Sequence, residues 1–207
     1  GSGDPSPVTA YGVYMGMKAS AKEVWGNDSL SGKKVCVQGA GHVGSNLVKH
    51  LTEEGAKVYV TDINKDALQQ VATTYKAEVV APDSIFSLDV DIYAPCALGA
   101  TLNTENISKL KCAIVSGAAN NQLADEVVHS KMLMDKGILW APDFLINAGG
   151  LINVYSELKK FSRAEALKQT EHIYNVTLEI FKKSKTEKIP TLVAAMQMAE
   201  KRIYGGK

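Results

Sequence analysis

Residues 35–47, VCVQGAGHVGSNL, determine the fold class of this 207-residue chain. A short apolar stretch, typical of a strand, leads into a glycine-rich turn and then into an amphipathic, helix-like pattern. Gly39, Gly41 and Gly44 have the GxGxxG spacing. In such a turn the first glycine allows a tight bend, the second lets the backbone approach a pyrophosphate, and the third lets helix and strand pack closely. The segment therefore predicts a phosphate-binding turn at a helix N-terminus.

An acidic residue follows this turn at the distance expected for a dinucleotide site. The next apolar stretch ends at Asp62, about 20 residues on, where a carboxylate can accept hydrogen bonds from the adenosine ribose. A carboxylate there repels the 2′-phosphate of NADP, and the arginines, Arg163 and Arg202, lie far away in sequence. Lys65 could soften that exclusion, so NAD is favoured without NADP being excluded. The alternative is an ordinary tight turn and a surface acid, but the complete strand–turn–helix–strand–acid order favours the dinucleotide.

Strand-like and helix-like patterns alternate through the middle of the chain. This order predicts an α/β fold of the Rossmann type, a doubly wound, mostly parallel sheet with flanking helices and a helical C-terminal segment. We divide the chain into a connection with the first helix (1–30), a Rossmann core (31–147) and C-terminal helices (148–207). Thr104 is expected to cap a short helix, and residues 162–188 to be amphipathic and helical. The apolar face of that helical stretch comprises Ala166, Ile173, Val176, Ile180 and Phe181.

Composition and charge exclude several classes of protein. The 23 lysines and arginines balance 22 acidic residues, so the chain has no electrostatic signature of nucleic-acid or anionic-membrane binding. No apolar run is long enough to span a membrane, and no signal segment opens the sequence. Cys36, Cys96 and Cys112 lack CxxC spacing, and the four histidines lack metal-ligand spacing. We expect no disulfide framework, no metal site and a cytoplasmic setting.

Three later strand ends carry small residues and amides. They are residues 94–100 (APCALGA), 117–123 (GAANNQL) and 141–150 (APDFLINAGG). Because ligands of open α/β sheets bind beyond the carboxyl ends of the strands, we expect these turns to form one site. Small residues let a flat ring approach, and the amides of Asn120, Asn121 and Asn147 can both donate and accept hydrogen bonds. The combination suits a nicotinamide carboxamide or a substrate carboxylate.

Cys96 and a lysine-rich segment each have a functional and a structural interpretation. Cys96 follows a strand end and could be a thiolate nucleophile, but no histidine stands in an obvious base position. We interpret Cys96 as a small buried side chain and Cys36 and Cys112 as core residues. Residues 182–188, KKSKTEK, are interpreted as a solvated helix end rather than a binding patch.

Seven segments together resemble one enzyme family. They are GDPSPVTAYGV (3–13), VQGAGHVGSNL (37–47), VTDIN (60–64), APCALGA (94–100), GAANNQLA (117–124), APDFLINAGGLINV (141–154) and IPTLVAAMQMAEKRI (189–203). In this order and at these intervals they closely resemble the amino-acid dehydrogenases that act on leucine, valine, phenylalanine and glutamate. The resemblance covers essentially the whole chain and is far more specific than a single GxGxxG motif. The turn at 147–154 is similar to that of the branched-chain members.

The resemblance implies reversible, NAD-linked oxidative deamination of an L-amino acid to a 2-oxo acid and ammonia. A branched-chain amino acid, leucine first, is the substrate it implies. By motif matching, the expected cofactor-binding residues are Thr9, Gly39, Ala40, Gly41, His42, Val43, Gly44, Asp62, Ile63, Pro95, Cys96, Ala97, Asn120 and Asn121. For the substrate, Asn147 would place the carboxylate or the nicotinamide amide, and Leu151 and Val154 would contact the aliphatic side chain.

Two departures from the family pattern qualify that reading. The family turn usually has asparagine where this chain has His42, and we expect only a modest effect on cofactor affinity. The family's catalytic lysines and aspartate belong to a substrate domain that precedes the segment at 3–13. We therefore expect no catalytic residue in this chain, and an isolated chain that binds NAD without turnover. Gly1 and Ser2 are either a tag remnant or part of an interdomain connection.

Other functions are compatible with the same residues. The full-length enzyme of the resemblance is expected to be a homo-oligomer that binds a small amino acid, with no nucleic-acid or membrane partner. A free-standing NAD-binding sensor or interaction module without catalysis is the alternative. A different oxidoreductase with its base in this chain is a third possibility, but the three strand-end turns lack a lysine, glutamate or histidine base.

Overall fold

A six-stranded sheet organises the part of the chain that the structure describes. The computed structural model describes residues 3–205. The two interpretations of Gly1 and Ser2 concern residues outside this part, as do residues 206–207. The strands are β1 (Lys34–Gln38), β2 (Lys57–Thr61), β3 (Glu78–Val79), β4 (Ile92–Pro95), β5 (Ile114–Val115) and β6 (Leu139–Trp140). All neighbouring pairs are parallel, in the order β3-β2-β1-β4-β5-β6. This is the doubly wound order, so the predicted Rossmann-type α/β fold is confirmed.

Helices cover both faces of the sheet and make up the C-terminal segment. They are α1 (Ser6–Trp25), α2 (His42–Glu53), α3 (Lys65–Tyr75), α4 (Thr104–Lys109), α5 (Glu126–Asp135), α6 (Asp143–Ile146), α7 (Gly149–Leu158), α8 (Arg163–Thr170), α9 (His172–Glu187) and α10 (Thr191–Tyr204). Alternate residues of β1 face opposite sides, because side chains alternate along a strand. Val35 and Val37 pack in one core cluster with Leu47 of α2, whereas Cys36 packs in the other with Tyr93. The central strands are therefore buried on both faces, as parallel strands usually are.

Helix α1 is held close to α6 by glycine. A Cβ at Gly16 would lie 2.3 Å from Cγ2 of Ile146, and one at Gly12 would lie 2.8 Å from the Ile146 carbonyl oxygen. A larger residue at either position would push the helices apart. This close packing keeps the N-terminal end of α1 beside the chain that follows β6.

Three local details differ from the sequence predictions. Thr104 does not cap α4; the side chain of Asn103 accepts the N–H of Asn106 at 2.9 Å instead. The stretch 162–188 is helical, as predicted, but it forms two helices, α8 and α9, and the hydroxyl of Thr170 donates to the carbonyl of Ala166 where α8 ends. Such back-bonding bends helices. The four-residue helix α6 was not anticipated, because it is too short to show a hydrophobic period.

Glu54, which follows α2, connects three parts of the chain. Its carboxylate accepts hydrogen bonds from the hydroxyl of Tyr14, from Nζ of Lys18 at 2.8 Å and from the N–H of Leu30 at 2.9 Å. Burial by itself would raise the pKa of Glu54, but these donors outweigh it and hold the pKa below its ordinary value of 4.5. The charged carboxylate therefore fastens α1 and the loop before β1 to the end of α2.

Replacing this carboxylate should destabilise the chain. Because the Glu54 side chain is only 17% exposed, we expect Glu54→Gln to lower the free energy of unfolding by roughly 2 kcal/mol at neutral pH. The folded pKa is lowered, so this contribution should be complete above about pH 5 and decline as the pH falls through the folded pKa. Urea denaturation at several pH values measures it.

Glu53→Gln is the matched control, since Glu53 is exposed and its pair with Lys49 spans 3.9 Å. It should change the free energy of unfolding by no more than about 0.5 kcal/mol. Equal losses for the two variants would contradict the role given to Glu54.

Candidate cofactor site

The turn between β1 and α2 places each glycine of the GxGxxG motif in a different environment. Gly39 has a φ of +116°, and a Cβ there would lie 2.9 Å from the carbonyl carbon of Cys96. A Cβ at Gly44 would lie 2.0 Å from the carbonyl oxygen of Gly39. At Gly41, by contrast, a Cβ would have no protein atom within 4 Å. The first and third glycines are thus required by the protein itself, whereas the second faces open space.

Asp62 follows β2 and closes the turn from the side. One carboxylate oxygen accepts the N–H of Ala40 at 2.6 Å, and the other accepts the N–H of Asn64 at 2.7 Å. The N–H of Gly39 also donates to the carbonyl of Thr61 at 2.8 Å. Each carboxylate oxygen has further lone pairs, so Asp62 can still accept hydrogen bonds from a bound hydroxyl. Its position beside the glycine turn agrees with the spacing in the sequence.

A cavity of about 440 Å³ opens beside this turn. Its lining combines the turn, the start of α2 and one face of α3: Ala40, Gly41, His42, Ser45, Asn64, Ala67, Gln70, Val71, Thr74 and Tyr75. Its volume falls in the range of small-molecule sites, about 300–1,000 Å³. Of these residues, the sequence predictions contained only those of the glycine turn. The polar side chains of α3 were missed because they read as an ordinary solvent-facing helix surface.

His42 stands at the mouth of the turn. It is the first residue of α2, and its Nδ1 lies 3.2 Å from a carboxylate oxygen of Asp4, with the imidazole largely exposed. The segment that enters α1 is thereby connected to the glycine turn. Next to it, Val43 packs partly against the core. Ile63, two residues after β2, is almost fully exposed.

Cys96 joins the glycine turn to the next strand end. Its N–H donates to the carbonyl of Gln38 at 2.7 Å, and its Sγ accepts the N–H of Ala118 at 3.5 Å. Burial raises the pKa of the Cys96 thiol to about 12. A thiol with that pKa is not a thiolate at neutral pH, so the structure supports the packing interpretation over the nucleophile.

Two of the three strand-end amides, those of Asn120 and Asn147, are in direct contact. Nδ2 of Asn147 lies 2.5 Å from Oδ1 of Asn120. Asn121 has a φ of +52°, and its carbonyl accepts the N–H of Ala100 at 2.7 Å. Pro95 at the end of β4 is buried. Gly117 packs directly against it, because a Cβ at Gly117 would lie 2.2 Å from the Pro95 carbonyl oxygen. The turns after β4, β5 and β6 therefore meet in one place.

Two buried polar residues that the sequence did not single out hold these turns. Gln122 donates to the carbonyls of Gly117 and Ala119 at 2.8 and 3.0 Å and accepts the indole N–H of Trp140 at 3.0 Å. The carboxylate of Asp143 accepts the N–H of Gln122 at 2.8 Å. Burial raises the pKa of the Asp143 carboxyl above its usual value, and this effect outweighs the backbone N–H donors, which lower it. A single polar residue next to a strand end does not indicate, in the sequence alone, that it belongs to such a hydrogen-bond network.

Thr9 and the start of α7 lie together at the other side of the amides. A Cβ at Gly149 would lie 2.9 Å from the Cα of Thr9, and one at Gly150 would lie 3.0 Å from its hydroxyl oxygen. Leu151 and Val154 follow on α7 and are 72% and 50% exposed. The structure thus brings Thr9 next to the turn that carries Asn147, and leaves the two apolar side chains on an open helix face. Ala97 is likewise exposed.

Residues 3–205 show neither a metal-binding cluster nor a membrane-spanning helix. No group of three or more His, Cys, Asp or Glu side chains in this part of the chain is arranged to hold a metal ion. None of the described helices is long and apolar enough to cross a membrane.

Comparison with known proteins identifies the family. The sequence model of the glutamate/leucine/phenylalanine/valine dehydrogenases matches residues 1–64 and 59–205. The chain belongs to this family. Its relatives include leucine dehydrogenase of Thermoactinomyces intermedius, which is 56% identical over 98% of the chain and 55% of the relative.

Solved structures of other dehydrogenases have the same fold as this chain. The crystal structure of L-tryptophan dehydrogenase from Nostoc punctiforme has a TM-score of 0.95 and 47% identity, over 98% of this chain and 62% of that one. Hetero-hexameric glutamate dehydrogenase from Thermus thermophilus has a TM-score of 0.76 at 23% identity, over 95% of this chain and 51% of that one. That second likeness concerns the fold alone. The chain spans about half the length of the curated dehydrogenases that it matches.

The different environments of the glycines predict opposite outcomes for alanine. Gly44→Ala should lower the free energy of unfolding by at least about 2 kcal/mol, because its Cβ would collide with the Gly39 carbonyl. Gly41 has ordinary φ and ψ of −69° and −172° and open space around it. Gly41→Ala should therefore stay within about 0.5 kcal/mol of the parent in urea denaturation. A destabilised Gly41→Ala would show that this turn is packed differently.

Proposed function

We propose that this chain is the NAD-binding part of an amino-acid dehydrogenase that oxidatively deaminates a branched-chain L-amino acid, with leucine the first candidate. The observation that carries the proposal is the glycine turn itself. Gly39 and Gly44 are packed by the protein, Gly41 is left open, and Asp62 borders the opening. Family membership and the strand-end amides support the same assignment.

The residues present suit a dinucleotide. Helix α2 begins at His42, so its unpaired N–H groups and positive dipole end are available to a pyrophosphate that approaches at Gly41. The carboxylate of Asp62 would accept the ribose hydroxyls and would disfavour a 2′-phosphate. The residues Pro95–Ala97, Asn120, Asn121 and Thr9 would border the nicotinamide half.

When bound, NAD supplies a nicotinamide ring that takes up hydride from the α-carbon of the amino acid. The chain's own contribution is placement. Asn147, held to Asn120 at 2.5 Å, would orient the substrate carboxylate or the carboxamide of the ring. Leu151 and Val154, exposed on α7, would contact the aliphatic side chain of the substrate. A relative named L-tryptophan dehydrogenase also shares 47% identity with this chain. The choice of leucine as the substrate therefore depends on the resemblance of residues 147–154 to the branched-chain members.

The general base would come from outside these turns. Residues 94–100, 117–123 and 141–150 contain no lysine, glutamate or histidine. The acid among them, Asp143, is buried and accepts backbone N–H groups. We place the base in a further domain of the full enzyme, for which the greater length of the relatives leaves room. We also propose that the full enzyme is a homo-oligomer.

Loss of the Asp62 carboxylate should weaken NAD binding and relax the exclusion of NADP. Asp62→Ala should raise the Kd for NAD by about tenfold, because the ribose loses a charged acceptor, while the Kd for NADP changes less. Gly41→Ala should also weaken NAD, through steric exclusion of the pyrophosphate. Isothermal titration with both nucleotides measures these effects.

Asp66→Ala provides the control, since Asp66 is an exposed acid in the first turn of α3. It should leave both dissociation constants within about twofold of the parent. If Asp62→Ala behaves like Asp66→Ala, then Asp62 does not contact the nucleotide.

The 207-residue chain should bind NAD but form no NADH from leucine. The physical reason is that its amides position the reactants but accept no proton at neutral pH. Leucine-dependent NADH absorbance measures turnover. Turnover by the chain alone would place the base within it, whereas failure to bind NAD at all would overturn the whole assignment. A full-length protein that binds NAD but oxidises no amino acid would favour the sensor alternative.

A further inference from the structure

We propose that a second cavity, at the β6 edge of the sheet, binds a small amphipathic monocarboxylate, that is, a molecule with one carboxylate and an apolar body. The cavity has a volume of about 460 Å³ and lies between α5, β6, α9 and the start of α10. Strand β6 is the edge strand farthest from β3, and no residue of the cavity belongs to the glycine turn. It is therefore separate from the proposed NAD site.

The inner part of this cavity is apolar. Leu133 of α5, Ile138 before β6, Trp140 and Phe181 of α9 contribute to its lining, and each is at most 5% exposed overall. Trp140 is held in place by two hydrogen bonds: its indole N–H donates to Gln122, and its backbone carbonyl accepts the hydroxyl of Thr191 at 2.8 Å. A preformed apolar lining with a few polar groups at its edge is typical of small-molecule sites.

The charges at the edge of the cavity favour a single negative charge. Lys185, Lys188 and Glu23 line it, and Lys185 pairs with Glu23 at 3.3 Å. Lys183 and Lys185 form ion pairs with Glu187 and Glu23, whereas Lys188 forms none among the described residues. The C-terminus of α9, which carries a partial negative charge, and the N-terminus of α10, which carries a partial positive charge, meet at this edge. Because these helix dipoles offset each other, the charged side chains determine the sign of the potential at the cavity. One uncompensated positive charge beside an apolar lining matches one carboxylate on an apolar chain.

Lys188 is more than a solvated helix end in this arrangement. It has a φ of +53° and caps α9 in the left-handed conformation, which places it at the cavity instead of continuing the helix. Lysine gains nothing from that conformation, which glycine and asparagine adopt more readily. Lys76 has the same role at the end of α3, with a φ of +57°, and lies away from the cavity.

The test is a titration of the 207-residue chain with decanoate below its micelle concentration. The indole N–H signal of Trp140, assigned with the help of Trp25→Phe, reports binding by nuclear magnetic resonance. We expect a saturable shift with a Kd of about 1 mM or lower. Decylammonium, which has the same chain and the opposite charge, and acetate, which lacks the chain, should bind at least about tenfold more weakly.

Matched variants separate the cavity from general effects. Lys188→Asn removes the charge at a position whose backbone asparagine tolerates, and should raise the Kd for decanoate about fivefold. Met134→Glu, which adds a negative charge at a half-exposed lining residue, should act in the same direction. Lys76→Asn and Val127→Glu make the same changes away from the cavity and should stay within about twofold.

The proposal is overturned if Trp140 shows no saturable shift, if decylammonium binds as well as decanoate, or if Lys76→Asn weakens binding as much as Lys188→Asn. NAD titrations of the same variants should be unchanged. The outcome for this cavity is therefore independent of the outcome for the NAD site.

Discussion

The close backbone contact at the β1–α2 turn is the constraint on which the rest of the site depends. The carbonyl of Gly39 occupies the space where a Cβ of Gly44 would stand, and Gly39 itself lies against Cys96. Only residues without a Cβ permit this approach, and it fixes where α2 begins relative to β1 and β4. Once that geometry is set, Gly41 faces outward and the N-terminus of α2 is available to a ligand. Asp62 then completes the turn by accepting the N–H of Ala40.

The amide side of the site is held by a different kind of interaction, buried hydrogen bonding. Gln122 is fully buried and ties the turn after β5 to Trp140 of β6, while Asp143 ties the same turn to α6. Such networks are costly when incomplete, so each member is restrained by the others. Their effect is to bring Asn120 and Asn147 together although 26 residues of sequence lie between them. Rigid support of this kind is what positions a group for catalysis or binding.

Local patterns were sufficient for much of this structure. The glycine spacing, the acid after β2 and the alternation of elements each depend on residues close together in sequence. They predicted the doubly wound, mostly parallel sheet and the close packing at Gly39 and Gly44. The meeting of the three strand-end turns also followed, because parallel strands share a carboxyl edge. Details that depend on distant partners were missed, including Gln122, Asp143, the cap at Asn103 and the break between α8 and α9.

The sequence by itself therefore determined the fold class and the family resemblance, and it predicted that the glycine turn binds a dinucleotide. All three inferences depend only on residue types and their spacing, which can be read without knowing which residues are in contact. Tertiary structure decided which glycine faces open space, which polar side chains support the amides, and where a lysine without an ion pair lies beside an apolar cavity. The physical reason is that burial and hydrogen-bond satisfaction are properties of neighbours in space, and those neighbours come from segments far apart along the chain.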